Sequence, residues 1–524
     1  MPIRITGLNS GLDTESIISA LVSSYNYKTQ KYEKAQTKLS WKQDAWKELN
    51  TKIYSLYTSV GNLRFSKAYN LKSASVSDST KVSVTASSGA VNGTYSIQVT
   101  SLAKAGYLTG AKLSKDKKDE NGNVVTDTEG NPVKEGATSA TTLSELGYTG
   151  EGSITIGGKS ITVKGDTKIS EVISGLKDAG VNANFDEKNG RIYVSAKNAG
   201  VNNDFTLGGD NAALEVLGLV VDPNDTSGNG ATRIIGSDAT IYVNNAKYTN
   251  DSNSFSINGL TINALSVTTT EEAMQNALAS GIEAPGGVST TVSADTQGIY
   301  DKIKDFLTQY NALINEMASL YNADSSSGYE PLTDEERDAM SETEVEKWEA
   351  KIKDSLLRRD DTLSSIMNTM TNTMAKGIEV NGKTLYLSTF GIKTLGYLNA
   401  PKNEHYAYHI DGDEDDVNTS GNADKLMSAL ASDPDSVVEY MQKLAQNLYS
   451  AVDAKMKSTS LSSVYTVYND KEMASEYSDY TSLIRKWKER LEEQQDYYYE
   501  KFGAMESALA KLNSQTTSMS GFFG

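Results

Sequence analysis

The side chains best suited to acid–base or metal chemistry lie in one short segment of the sequence. The chain contains two histidines, His405 and His409, and an acidic run from Asp411 to Asp416 follows them. The residues around the histidines alternate as in a β-strand, which would place both imidazoles on one face but about 13 Å apart. Because that separation is too large for one metal ion, we interpret the two histidines as exposed polar residues on a hairpin.

The acidic run resembles a calcium-binding loop in composition only. An EF-hand would need glycine at position 416 and glutamate at position 422, whereas this chain has Asp416 and Asn422. We therefore interpret the run as a solvated turn that leads into a helix near residues 423–431. No metal site is expected here.

A second segment, Gly158-Lys159-Ser160, imitates the end of a phosphate-binding loop. That motif needs a glycine five positions before Gly158, where this chain has Ser153, and the residues after Lys159 are typical of a strand rather than a helix. The chain also has no cysteine, which excludes thiolate zinc sites, iron–sulfur clusters and cysteine nucleophiles. The sequence therefore predicts a protein that is not an enzyme and binds no cofactor.

Length and charge narrow the class further. The chain has 524 residues, for which about three to five domains are expected. Its formal net charge of −18 disfavours binding to nucleic acid and to anionic membrane surfaces. No segment approaches the roughly 18 apolar residues of a spanning helix, and we expect neither membrane insertion nor a cleaved secretory signal.

Both ends of the chain are predicted to be long helices with coiled-coil periodicity. The first begins at Asp13 or Thr14 and continues to about Leu63, with no glycine between Gly11 and Gly61. The C-terminal helix has two heptad series of its own. The N-terminal series are Leu39, Trp46, Ile53 and Val60 with Leu49, Leu56 and Leu63, and the C-terminal series are Ile484, Leu491, Tyr498, Met505 and Leu512 with Phe502 and Leu509.

Further helices are predicted inside the second half of the chain. Residues 299–320 carry apolar side chains alternately four and three apart, and a second helix is expected over about 334–357. A shorter helical run covers about 363–374. Together with the segment near residues 41–66, these helices are predicted to form a bundle whose core includes Trp46, Phe306, Tyr310 and Leu313.

The middle of the chain, residues 73 to about 295, is predicted to be β-rich. Residues 75–86 and 94–99 alternate as strands, with a turn at Asn92-Gly93 between them. Within 153–207 the predicted order is strand, strand, helix, strand, strand, and strands return over 238–268. The polar stretch 114–138 is predicted to be a surface hairpin or excursion.

These elements predict an α+β multidomain fold, in which long terminal coiled-coil helices and a helical-bundle leg carry an inserted β-rich head of two small domains. The predicted domains are a terminal coiled coil (1–40 with 480–524), a helical leg (41–70 with 296–479), a first head domain (71–110 with 233–295) and a second head domain (111–232).

Several blocks in sequence order resemble one family, the bacterial flagellar filament cap or hook-associated protein 2. The opening run Thr6 to Asp13, the block Gln36 to Trp41 and the closing phrase Leu512 to Gln515 are similar to that family's ends. Residues 154–207 resemble the flagellin/hook insert module, and residues 243–245, 257–262 and 310–314 resemble the family's strands and returning helix. The polar stretch 114–138 and the acidic region 325–350 lie outside the resemblance.

The resemblance implies a structural protein at the distal tip of the flagellar filament, outside the cell. Such a cap is a homo-oligomer, with four to six subunits expected, that promotes folding and insertion of flagellin and prevents its loss. Implied partners are flagellin, a junction protein early in assembly and an export chaperone at the C-terminal helix. Export through the flagellar type III apparatus is implied, without a cleaved signal peptide.

The expected contacts with the filament or with other subunits are apolar residues of the terminal helices. Two alternatives stay open from the sequence. One is a hook–filament junction protein or a flagellin-like axial protein, and the other is an adhesin that uses the acidic head. The expected contact residues are Leu8, Leu12, Ile17, Leu21, Leu39, Phe502, Met505, Leu509 and Leu512.

Overall fold

The computed structural model describes residues 10–523, with side chains up to residue 519. The chain divides into two compact units. A helical unit combines both ends of the chain, up to Tyr69 and from Thr296 on, and a β-rich unit covers Asn70–Asp295. The predicted combination of long terminal helices with an inserted β-rich region is confirmed.

Helices dominate the unit formed by the chain ends, and three short ones belong to the β-rich unit. In chain order the helices are α1 (Thr14–Leu63), α2 (Ile169–Asp178), α3 (Asn211–Val216), α4 (Glu271–Ser280), α5 (Thr296–Tyr321), α6 (Asp334–Asp338), α7 (Glu342–Asp354), α8 (Asp361–Ala375), α9 (Lys425–Ser432), α10 (Pro434–Lys455) and α11 (Asp470–Phe523).

The strands pair antiparallel. Those of the β-rich unit are β1 (Lys72–Val76), β2 (Val82–Ala86), β3 (Gly93–Ser101), β4 (Tyr107–Thr109), β5 (Ser114–Asp116), β6 (Lys134–Gly136), β7 (Glu151–Ile156), β8 (Lys159–Lys164), β9 (Asn182–Asp186), β10 (Arg191–Ser195), β11 (Leu207–Gly209), β12 (Thr232–Ile234), β13 (Ala239–Val243), β14 (Ala246–Asn250), β15 (Ser254–Ile257), β16 (Leu260–Ala264) and β17 (Val288–Ala294). Two small ribbons in the helical unit are β18 (Ile378–Val380) with β19 (Lys383–Leu385), and β20 (Ile392–Lys393) with β21 (His409–Ile410).

Helix α1 has the predicted length and start. Asp13 caps it, since its carboxylate accepts a hydrogen bond from the Ser16 amide at 3.1 Å. Glu15 lies in the first turn, where a negative charge stabilises the positive end of the helix dipole. Near the other end a Cβ on Gly61 would lie 3.3 Å from the Tyr449 ring, so the glycine lets α10 pack closely.

The predicted bundle core is confirmed. Trp46, Phe306, Tyr310 and Leu313 are all buried, and the core continues through the apolar faces of α8 and α10. The aromatic ring of Trp46 stacks on Tyr468 with 5.4 Å between ring centroids. This packing fixes the part of α1 from which the terminal segment extends.

The prediction of one helix over 334–357 is wrong, because two helices cover this region. A capping box starts α7, in which Ser341 donates its amide to the Glu344 carboxylate at 2.9 Å and accepts the Glu344 amide at 3.4 Å. A second capping box, Thr333 with Glu336, starts α6. Every residue of α6 is charged, so no apolar pattern marks where α6 ends and α7 begins.

The β-rich unit has two large hydrophobic cores and a smaller cluster around Tyr242 and Met274. One lies between a five-stranded sheet of order β1-β17-β3-β13-β14 and a three-stranded sheet of order β15-β16-β2. The strand predicted over 75–86 is divided by a turn at Asp78, and β2 and β3 do not pair as a hairpin across Asn92-Gly93. β1 and β3 instead both pair with β17, from the far end of the unit.

The other core confirms the predicted element order. β7, β8, α2, β9 and β10 follow one another as expected, and the sheets β11-β7-β8 and β12-β4-β10-β9 enclose the core. The polar stretch 114–138 contains the paired strands β5 and β6, with two tight turns between them. In these turns Asp119 and Asp127 each accept amide hydrogen bonds, from Asn123 and from Asn131 respectively, at 2.9 Å.

Candidate docking site on the terminal coiled coil

The histidine segment does not have the predicted form. The strand there is only β21, and His405 stacks on Tyr397 with ring centroids 4.5 Å apart. The Nδ1 atom of His409 lies 2.6 Å from a carboxylate oxygen of Asp416, and the His409 side chain is 12% exposed. The prediction of exposed histidines on a hairpin is therefore wrong.

The acidic run is also not a solvated turn. Asp411 is buried against Lys393, with 2.8 Å between the charged atoms, and Lys304 of α5 binds both Asp413 at 2.7 Å and Asp415 at 2.6 Å. Hydrogen bonds to these two carboxylates hold the pKa of the Lys304 ammonium above its usual value. Lysines from α5 and β20 thus pair with three of the carboxylates of the run, and neither lysine is close to the run in sequence.

No cluster suited to a metal ion emerges from this segment or elsewhere in residues 10–523, where no three histidine or acidic side chains converge. Gly157 and Gly158 form the turn of the β7–β8 hairpin, and Lys159 begins β8 and donates to the Asp178 carbonyl at 2.9 Å. The strand predicted after Lys159 is confirmed, so no helix N-terminus follows this glycine pair.

The terminal helices provide the remaining candidate site, because α1 and α11 pair antiparallel along most of their length. Tyr25 packs against Trp487 with ring centroids 6.2 Å apart, and Tyr32 packs against Tyr480 at 6.3 Å. The ammonium of Lys28 also lies 4.3 Å from the centroid of Trp487. Later residues of α1 contact earlier residues of α11, as expected for two antiparallel helices.

Polar contacts fix the register of this pair. The Ser10 hydroxyl donates to Glu506, and the Tyr499 hydroxyl donates to the Glu15 carboxylate at 2.6 Å. Further along, Lys488 pairs with Glu33 at 2.7 Å. At the bundle end the Gln36 amide donates to the Tyr477 carbonyl at 3.2 Å and to the Thr481 hydroxyl at 2.7 Å. A shift by one residue would break all of these contacts together.

The apolar seam between the two helices is only partly covered. Among the described side chains of α11, only Met473 and Glu506 are buried. On α1 the buried residues of the terminal part are Thr14, Ile18, Val22 and Thr29. A pair of helices cannot enclose its own seam fully, so apolar surface remains for another partner.

The structure divides the expected contact residues into two groups. Leu12, Leu21 and Leu512 are exposed, by 47%, 45% and 57% of their surface. Leu8 lies outside the described residues. The half-buried members are Ile17, Leu39, Phe502, Met505 and Leu509.

Sequence reasoning missed the residues that bring the two helices together. The doublets Ile17-Ile18 and Leu21-Val22 offer two apolar faces, and periodicity alone does not say which one meets α11. The structure buries Ile18 and Val22. Trp487 could have been found, because it follows Ile484 by three positions and precedes Leu491 by four, as a heptad requires.

None of the helices described between residues 10 and 523 is long and apolar enough to span a membrane. Within residues 10–523, helices from the two ends of the chain thus pair as a coiled coil, and residues 70–295 between them form a β-rich unit followed by the remaining helices of the bundle.

Comparison with known proteins assigns the family. Residues 10–106 match the family model described as flagellar hook-associated protein 2 N-terminus, and residues 236–514 match the corresponding C-terminus model. The chain therefore belongs to the flagellar hook-associated protein 2 family.

Two relatives illustrate the range of similarity. The flagellar hook-associated protein 2 of Halalkalibacterium halodurans is 25% identical over 575 aligned positions, which cover 99% of this chain and 100% of the relative. The A-type flagellar hook-associated protein 2 of Pseudomonas aeruginosa is 26% identical over 330 positions, which cover 60% of this chain and 63% of the relative. A crystal structure of the Escherichia coli flagellar cap protein FliD, domains D1-D2-D3, aligns at 22% identity and a TM-score of 0.46, covering 78% of this chain and 95% of that one.

Proposed function

We propose that this protein caps the distal tip of the bacterial flagellar filament, where it promotes folding and insertion of exported flagellin and prevents loss of flagellin subunits. Membership of the family supports the location. The partly covered seam of the terminal coiled coil is the observation that carries the docking role. A structural, non-catalytic role agrees with the contact between the His409 Nδ1 atom and the Asp416 carboxylate.

The docking element in this proposal is the outer face of the α1–α11 pair. Leu12, Leu21 and Leu512 contact helices at the filament end, and the half-buried residues Phe502, Met505 and Leu509 complete the apolar surface when the pair docks. Because each leucine is already about half covered, its full burial on docking would contribute about 1 kcal/mol. Three such leucines give only a modest binding energy, which suits a contact that must be released and re-formed.

The remaining elements of the proposal follow the family. The subunits form a homo-oligomer of four to six copies, contact a junction protein early in assembly, and receive an export chaperone at α11. The protein reaches the tip through the flagellar type III apparatus without a cleaved signal. In this proposal the helical unit consists of a terminal coiled coil and a leg, which meet near residues 40 and 480. The β-rich unit consists of two head domains, which meet near residues 110 and 233.

Immunogold electron microscopy on whole cells, with antibody raised to residues 111–232, tests the location. Label confined to filament tips is expected, because a cap occupies only the growing end. Label along the shaft would assign the chain to flagellin-like proteins, and label at the filament base would assign it to the junction. Either of these patterns would overturn the proposal.

The combined substitution of Leu12, Leu21 and Leu512 by aspartate is expected to release flagellin into the medium. Three buried apolar contacts are replaced by charges that cannot be desolvated, so filament length and swimming should fall about tenfold or more. Secreted flagellin and filament length are measured in a strain that lacks the wild-type gene. The matched control is Leu398→Asp, since Leu398 is 95% exposed but lies outside the terminal helices. Full motility of the triple variant would exclude this face as the docking site.

A further inference from the structure

A self-contained excursion joins α5 to α8. It comprises residues 322–358, here called the strap, and its ends are held together by the hydrogen bond from the Arg359 amide to the Tyr321 carbonyl at 3.1 Å. The Arg359 guanidinium also lies 5.0 Å from the Tyr321 ring centroid. Arg359 has φ of +55°, a backbone conformation that costs an L-residue energy and marks a sharp change of direction.

The strap has its own internal packing. The Trp348 indole donates to the Glu330 carbonyl at 2.8 Å, and its ring lies 4.6 Å from that of Tyr329. The Ser355 hydroxyl donates to Ser326 at 2.6 Å. These contacts join residues of the strap to each other and do not involve the terminal helices beside it.

The strap meets the terminal coiled coil through charges. Lys34 of α1 pairs with Glu336 of α6 at 2.8 Å, and the hydrogen bond from Lys34 holds the pKa of the Glu336 carboxylate below its usual value. The Lys353 ammonium lies 4.5 Å from the centroid of the Trp41 ring. The charges beyond these contacts are also complementary: residues 334–346 contain seven acidic residues and one arginine, whereas residues 27–42 contain five lysines and one glutamate.

Open space separates the strap from the coiled coil elsewhere. A cavity of about 310 Å³ lies between Tyr27, Lys31 and Lys38 of α1 and Glu330 and Pro331 of the strap. A second cavity, of about 380 Å³, is lined by residues of α1, α11 and the strap, including Thr29, Leu491 and Leu332. Both cavities are clefts open to solvent, so the strap is not packed tightly against the coiled coil along these two stretches.

We infer that the strap is a charge-held latch across α1 and α11, which closes on the coiled coil at low ionic strength and opens without unfolding of the strap or of the helices. The Glu336 side chain is 48% exposed and that of Lys34 20%, so the pair is in contact with solvent, where salt screens charges over about 10 Å at 0.1 M. The internal contacts of the strap persist when it opens. In the closed state the latch ties residues 27–42 of α1 to the helical bundle.

The consequence for docking rests on the proposed function. A terminal coiled coil released from the strap can change its angle to the bundle, which a cap needs when it advances past each added subunit. Opening itself is a property of the isolated chain, so it can be measured without filaments.

Distances between spin labels test the latch, and the absence of native cysteine makes labelling specific. The labels are placed at the exposed positions Ala339→Cys on the strap and Ser24→Cys on α1. Pulsed electron–electron double resonance on the full chain is expected to show one short distance in low salt. In 1 M NaCl a second, longer distance should appear, and its population should grow. Lys34→Glu is expected to raise the longer-distance population about two- to fivefold, the effect of one exposed pair.

The double variant Lys34→Glu with Glu336→Lys restores the pair in reverse and is expected to return the distribution to that of the wild type. Lys52→Glu removes the exposed pairs of Lys52 with Glu48 of α1 and Glu316 of α5; it is the matched control and should leave both label distances unchanged. A second label pair, Ser24→Cys with Ser482→Cys on α11, should keep one distance throughout, because the coiled coil stays intact. An unchanged strap distance in every variant and at both salt concentrations would overturn the latch, and so would a double variant that behaves like Lys34→Glu.

Discussion

Replacing Trp46 with alanine is expected to lower the free energy of unfolding of the helical unit by about 3–5 kcal/mol. Trp46 is only 2% exposed, and its ring stacks on Tyr468 with an angle of 10° between the ring planes. Alanine leaves a cavity where α1 meets the start of α11, and the surrounding helices can close it only in part. Urea unfolding followed by circular dichroism at 222 nm reports the helical transition.

Trp41→Ala is the matched control for Trp46→Ala. Trp41 lies on the same helix but is half-buried, and its ring contacts the Lys353 ammonium. Loss of this ring is expected to cost about 1 kcal/mol, because less surface is removed from water in the folded state. Equal losses for the two tryptophans would contradict the assignment of Trp46 to the bundle core.

The helix that contains Trp46 could be predicted because its signals are local in the sequence. Heptad spacing is written in consecutive residues, so the series through Trp46 and Ile53 defines a helix without knowledge of its partner. Its start at Asp13 has a local cause, since a side chain three residues away from Ser16 supplies the cap. The break before Ser341 was missed because α6 has only charged residues, so no apolar spacing there shows where one helix ends and the next begins.

Strand pairing was harder to predict from the sequence than the positions of the strands. Alternation correctly locates β2 and β3, and the order of elements from β7 to β10 follows from local turns. The partners of β1 and β3, however, come from β17 at the end of the unit. Antiparallel neighbours are chosen by the shape of the complete core, and no short segment contains that information.

At the candidate site, the sequence showed neither which face of α1 is buried nor which polar residues pair across the two helices. The apolar doublets of α1 indicate a helix with a seam but leave its direction undecided, and burial of Ile18 settles it. Long-range polar pairs such as Glu15 with Tyr499 have no signal in a single sequence. The acidic run was misread for the same reason, because its main cation, Lys304, lies on a different helix.

Removal of both terminal segments, residues 1–40 and 480–524, is expected to abolish capping while leaving the rest of the protein folded. The cut precedes Trp46 and follows Tyr468 and Met473, so the stacked pair and the bundle core stay intact. Both segments must go together, because deletion of 1–40 alone would uncover Trp487 and the seam of α11. Cells that produce the truncated protein should secrete flagellin monomers into the medium and should not swim.

Two measurements separate loss of docking from loss of folding. The thermal midpoint of the truncated protein should stay within a few degrees of the full chain, since the deleted helices pack mainly on each other through contacts such as Tyr25 with Trp487. The control replaces residues 117–133 with Asn-Gly, a two-residue turn that connects the paired residues Asp116 and Lys134 and removes a mostly exposed stretch. That variant should cap normally. If the doubly truncated protein also retains filaments, the terminal coiled coil is not the docking element, and the exposed leucines of α1 and α11 must serve another contact.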